Sequence, residues 1–149
     1  MNKLLKSAVD VFYRTEAGNV IYRENEEPVL SNEKGIKPLM TQLRSNKAAF
    51  KEAAIADKVI GKAAAWMAVL GGAKAVYGKT MSEGAVEILE HAGISYDYRH
   101  LVPFIVNRTK DGKCPLEEAV WDVSDADTAY KKLEERIAGL MQAKKEQEQ

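Results

Sequence analysis

A single cysteine, Cys114, in 149 residues leaves no disulfide framework, so the fold has to be held by its own core. That usage fits a reducing compartment. Four prolines and ten glycines are too few for a collagen-like or linker-rich chain. Net charge is missing too: 22 Lys+Arg stand against 22 Asp+Glu, which removes the basic footprint expected when nucleic acid or an anionic membrane is the main partner. No apolar run reaches membrane-spanning length, and the opening MNKLLKSAV lacks the apolar stretch of a signal peptide. No segment repeats. These absences predict a cytoplasmic single domain over residues 1–149, with a last helix from about residue 125 and a frayed, charged tail from about residue 143.

What the chain does contain is an alternation of strand-like and helix-like runs. AVDVFYR and NVIYR, between Ser7 and Tyr22, flank a turn at Glu16 to Asn19 and read as an antiparallel hairpin. Ile36, Leu39, Met40 and Leu43 recur at helical spacing, with Pro38 tolerated in the first turn. Asp57 is placed to cap a second helix whose stripe of Val59, Ala63, Trp66, Met67 and Leu70 stops at Gly71 and Gly72. AKAVYGK reads as a strand. Thr80 with Glu83 forms a T-x-x-E capping box opening the helix that ends at Gly93. Ile94, Tyr96 and Tyr98 alternate as on a half-covered strand, and VPFIV reads as another. Cys114 then sits at an N-cap with Pro115 at the first helical position. A final helix carries Leu133, Ile137, Leu140 and Met141, residues able to meet a second subunit in a homo-oligomer. This order predicts an α/β fold, a mixed sheet covered by helices on both faces.

The passages ADKVIGKAAAWMAVL and AKAVYGKTMSEGAVEILEHAGI resemble the helix and the strand, metal loop and helix of the cytidine deaminase fold. Together with LVPFIVNR and KCPLEEAV they resemble a family of uncharacterised prokaryotic proteins with a deaminase-like fold and no established activity, over roughly residues 5–125. The resemblance implies a three-layer α-β-α sandwich of cytidine-deaminase-like type. It does not bring the metal with it. Zinc deamination needs H-x-E or C-x-E followed by P-C-x-x-C, so that bound water ionises beside a proton-shuttling carboxyl. Gly84 and Glu87 stand where the two thiolates would be, ADKVIGKA holds neither histidine nor cysteine, and His91, His100 and Cys114 match no zinc spacing. No metal and no cofactor are expected.

In such a sheet, ligands gather beyond the carboxyl ends of the strands, where helix N-termini present unpaired amides. Lys58 in the first turn of a helix opposes the helix dipole unless an anion compensates it. With Lys62 one turn on and Gly61 between them, it reads as a cationic notch. The expected ligand is small, anionic and nucleotide-like, held by Lys58, Gly61 and Lys62. Thr80 and Ser82 supply hydroxyls, Asp57 fixes a lysine or a ribose, and Asn107 and Arg108 bind an anion or pair with Glu117 or Glu118. If a reaction occurs, Asp57 or Glu83 is the acid or base and Cys114, beside Lys113, the nucleophile. The competing reading makes Asp57 and Cys114 plain caps, the lysines solvated, Gly61 a packing residue and the crevice vestigial.

Overall fold

The structure is a computed structural model and describes residues 2–107 and 109–148. Asn2 caps the first helix, accepting the Leu5 N–H at 2.7 Å, and α1 runs Lys3–Thr15. The strand expected over AVDVFYR is therefore helical. Its alternating valines look β-like, but Leu5, Ala8, Val11 and Phe12 fall on one helix face and are buried. A hairpin does exist one element later: β1 (Asn19–Tyr22) pairs antiparallel with β2 (Val29–Ser31), which lies in the polar stretch after it.

α2 (Lys37–Ser45) follows with Pro38 in its first turn, as expected. The next element departs further from the sequence reading. Residues Ala54–Ile60 form β3 and not a helix start, so Asp57 caps nothing and Lys58 lies on a strand. Gly61 is the N-cap of α3 (Lys62–Gly71), which ends, as its glycines predict, on Gly72 in the left-handed conformation with φ 79°. β4 (Ala75–Ser82) extends through Thr80, and α4 (Glu83–His91) is capped by Ser82, whose Oγ accepts the Ala85 N–H at 3.1 Å; Thr80 is not the cap.

β5 (Ser95–Val102) carries Tyr96 and Tyr98 as read. VPFIV is not a strand: among the described residues beyond Val102 there is only the isolated bridge Val106–Lys113. α5 (Pro115–Ala119) has Cys114 at its N-cap with no side-chain bond, and α6 (Ala126–Glu148) closes the described chain.

The five strands make one mixed sheet in the order β2-β1-β3-β4-β5, in which β3, β4 and β5 are parallel and β1 runs against β3. α1 packs on one face over Val20, Ala54, Ala56, Ala75 and Tyr77. The opposite face carries the larger core, with Ile55, Val76 and Met81 against Leu39, Phe50, Met67, Leu89 and Leu133. Alanines at the α1 face of β3 let that helix approach closely, and Ala54 and Ala56 are both fully buried. No helix of the described residues is long and apolar enough to cross a membrane.

Candidate functional site

The carboxyl end of β3 opens into a cavity of about 340 Å³. Its floor comes from Asp57, Lys58 and Val59 of β3 and from Gly61, Ala63 and Ala64 at the start of α3. Gly18 and the turn Asn32 to Gly35 form one wall; Ile105, Cys114, Leu116 and Glu117 form the other. β3 has its parallel neighbour on one side and antiparallel β1 on the other, so the loops above it diverge and leave this space.

Two buried carboxyl groups line it. Asp57 sits where β1 begins against β3, opposite Asn19; Asn19 Nδ2 donates to Asp57 Oδ2 at 2.7 Å, and the Val59 N–H donates to Oδ1 at 3.0 Å. Burial pushes the Asp57 carboxyl up from 3.8 to about 6, against the lowering pull of those bonds and of Lys58. The Asn19 Oδ1 atom is itself buried and without a hydrogen-bond partner among the described residues.

Glu117 reaches across from α5 to the first turn of α3, where both its oxygens accept the Lys62 N–H at 2.8 and 3.0 Å. It is 3 % exposed, and burial pushes its carboxyl up from 4.5 to about 6 although the α3 amides and Lys62 favour the charged form. Gly61 makes this possible. A Cβ at that position would overlap Glu117 Oε1 and lie 2.6 Å from Ile105 Cγ1. The helix terminus expected to receive a ligand's anion thus already holds the protein's own carboxylate.

Of the expected site residues, the cavity gathers Asp57, Lys58, Gly61 and Cys114. Lys58 is exposed at the rim. Lys62 is not its partner in a notch. Its stem lies over Gly84, its Nζ donates to the Trp121 carbonyl at 2.9 Å, and the ammonium stands 4.0 Å from the Trp121 ring centroid. Lys113 approaches the same ring at 4.2 Å, so it does not face Cys114 alone. Thr80 lies on β4 and Glu83 is exposed at the start of α4, neither lining the cavity.

Ser82 is spent on its cap. Ser82→Ala is expected to cost about 1 kcal/mol of stability, read by urea denaturation. Asn107 is held in its own loop, donating to Asp111 Oδ1 at 2.8 Å and accepting the Asp111 N–H; Arg108 lies outside the described residues. Among the described residues no three His, Cys, Asp or Glu side chains gather closely enough to hold a metal ion.

Glu117, Asn19 and Lys34 belong to the site without any local motif that marks them. Glu117 acts on a helix 55 positions away, a distance that no local motif spans.

A search of curated proteins finds no match. Among solved structures the chain is similar to a DUF1893 family protein (TM1506) from Thermotoga maritima, with a TM-score of 0.78, 23 % identity and 88 % of each chain covered. At that identity the likeness is one of fold. A family model, TM1506, described as a domain of unknown function (DUF1893), matches residues 7–137. The chain belongs to the DUF1893 family.

Proposed function

We propose that the protein binds a small nucleotide-like ligand in the β3 cavity, with the ring of the ligand inside and its anionic group at the rim. The observation that carries this reading is the division of charge. Asp57 and Glu117 are buried carboxyl groups, whereas the exposed charges at the mouth are Lys34, Lys58 and Glu33, the last facing Lys37 at 3.8 Å, which leaves the two lysines as the rim's excess charge. Buried carboxylates next to apolar walls recognise N–H donors such as the amidine edge of a nucleobase, and the rim lysines recognise a phosphate or carboxylate. A cavity of about 340 Å³ suits a ligand of that size. The resemblance to zinc deaminases, without their metal ligands, belongs to this reading and supports a ligand at the same end of the sheet.

Calorimetric titration with a panel of nucleosides and their 5′-monophosphates tests it. At least one monophosphate is expected to bind. Lys58→Ala should weaken it about tenfold while leaving the matching nucleoside nearly unaffected. Equal affinity of monophosphate and nucleoside in the wild type, or no binding by any member of the panel, overturns the proposal.

One further observation favours a catalytic version of the same site. Two carboxyls held at about 6 lie where general acids and bases work near neutral pH, and Cys114 lines the same cavity. In that version Asp57 and Glu117 exchange protons with the bound ring in a metal-independent reaction. Turnover of a bound nucleotide that is lost in both Asp57→Asn and Glu117→Gln would establish it.

A further inference from the structure

β5 is an edge strand of eight residues, Ser95–Val102, with no proline and no lysine in it. The other edge, β2, protects itself by being only three residues long. β5 is not shortened in this way, and the cover on its open edge is the Asp97 carboxylate on the Tyr98 N–H. α1 packs against β1, β3 and β4 and has no comparable packing on β5, where Arg99 and Leu101 are exposed. Asp97 stands in register with Tyr77 of β4, on the α1 side of the sheet, and Arg99 follows it on the same face. Neither makes an ion pair among the described residues.

The direction of the free backbone groups is given by one hydrogen bond. The Tyr98 N–H donates to Asp97 Oδ1 at 2.9 Å, which places the Tyr98 backbone on the open edge. By the alternation of a strand, the N–H and C=O groups of Tyr96, Tyr98 and His100 all face outward. We propose that β5 pairs antiparallel with β5 of a second copy, about a two-fold axis through Tyr98, making one continuous ten-stranded sheet from two five-stranded ones.

In this register Tyr98 lies opposite the second copy's Tyr98, and Tyr96 opposite its His100. These are the hydrogen-bonded pairs that the outward backbone groups require. Asp97 then falls opposite the second copy's Arg99, twice by symmetry, at the positions where facing side chains come closest. The strand is its own electrostatic complement. In the monomer Asp97 covers the Tyr98 N–H that the second strand would otherwise engage, so dimer formation exchanges a local bond for a backbone bond and an ion pair.

Sedimentation equilibrium of the full chain tests the pairing. The wild type should sediment at twice the chain mass and dissociate on dilution. Arg99→Asp sets like charges opposite each other and should weaken self-association about tenfold or more. Asp97→Arg should do the same. The double swap Asp97→Arg/Arg99→Asp should return the dimer, because the pairs are re-formed with signs exchanged. Circular dichroism verifies that each variant, at half-buried Asp97 or exposed Arg99, is folded.

A monomeric wild type overturns the proposal, as does a dimer indifferent to both single reversals. A dimer lost only in Leu140→Asp/Met141→Asp would put the interface on α6, where both side chains are exposed, and overturn it too.

Discussion

Gly61→Ala is expected to lower the free energy of unfolding by about 3–5 kcal/mol, combining overpacking with the loss of a buried hydrogen-bond acceptor. The added Cβ falls on Glu117 Oε1 and 2.6 Å from Ile105 Cγ1, so the carboxylate has to leave the first turn of α3. Its departure strands the Lys62 N–H and a charge that is 3 % exposed. The backbone offers little room to adjust, because Gly61 is itself the junction between β3 and α3. Urea denaturation measures the loss.

The same substitution in a Glu117→Ala background separates the cause. With the carboxylate gone, the new methyl meets mainly Ile105, and the cost of Gly61→Ala should drop by about 1 kcal/mol or more, a coupling that distant sites do not show. Equal costs in both backgrounds would mean that Gly61 is needed for a reason other than Glu117.

Much of the architecture is legible where one rule acts alone. Pro38 and the spacing of Leu39, Met40 and Leu43 announce α2; Gly71 and Gly72 stop α3; Tyr96 and Tyr98 mark the half-covered β5; Cys114-Pro115 opens α5. α1 is misread because two periods compete. In α1, Val9 and Val11 alternate like a strand, while the burial of Leu5, Ala8 and Phe12 is visible only once the helix is started at Asn2.

β3 lies at the centre of the sheet with both faces covered, so AAIADKVI shows no polar alternation and its alanines read as helix formers. That single misreading displaces the site chemistry. A helix would set Lys58 and Lys62 one turn apart, whereas they stand on a strand and a helix with Gly61 between, facing different cavities. A cavity does open at the carboxyl end of β3 beside Asp57 and Cys114, but Thr80, Ser82 and Glu83, expected in the same crevice, lie outside it. The filling of the α3 terminus by Glu117 is a tertiary event without a local signal.

Replacing both cavity carboxyls, in Asp57→Asn/Glu117→Gln, is expected to raise stability near neutral pH while abolishing the nucleotide binding we propose. Each group holds its proton more tightly in the folded chain, near 6, than its ordinary value of 3.8 or 4.5. A raised carboxyl pKa contributes stability that is fully present below the ordinary value and is lost as pH climbs through the folded one. At pH 7.5 the charges therefore cost about 3 kcal/mol at Asp57 and about 2 kcal/mol at Glu117, a tenfold change in proton affinity being worth about 1.4 kcal/mol.

The neutral replacements keep an acceptor for each backbone N–H. In Asp57→Asn the amide oxygen still accepts from Val59, and the new N–H₂ can donate to the unpartnered Oδ1 of Asn19 once that side chain turns over. In Glu117→Gln the amide oxygen still accepts the Lys62 N–H. The stability advantage of the double variant over the wild type should accordingly shrink by about 2–3 kcal/mol between pH 7.5 and pH 5, as the wild-type carboxyls take up their protons. Comparing the two chains at each pH cancels the exposed acids Asp111 and Asp125, whose carboxyls are held below their ordinary range in both. Parallel stability curves would show that the two groups carry no buried charge at neutral pH. Diverging curves with ligand binding lost would tie the cost to the site: two charges that weaken the fold at one cavity are retained for what that cavity binds.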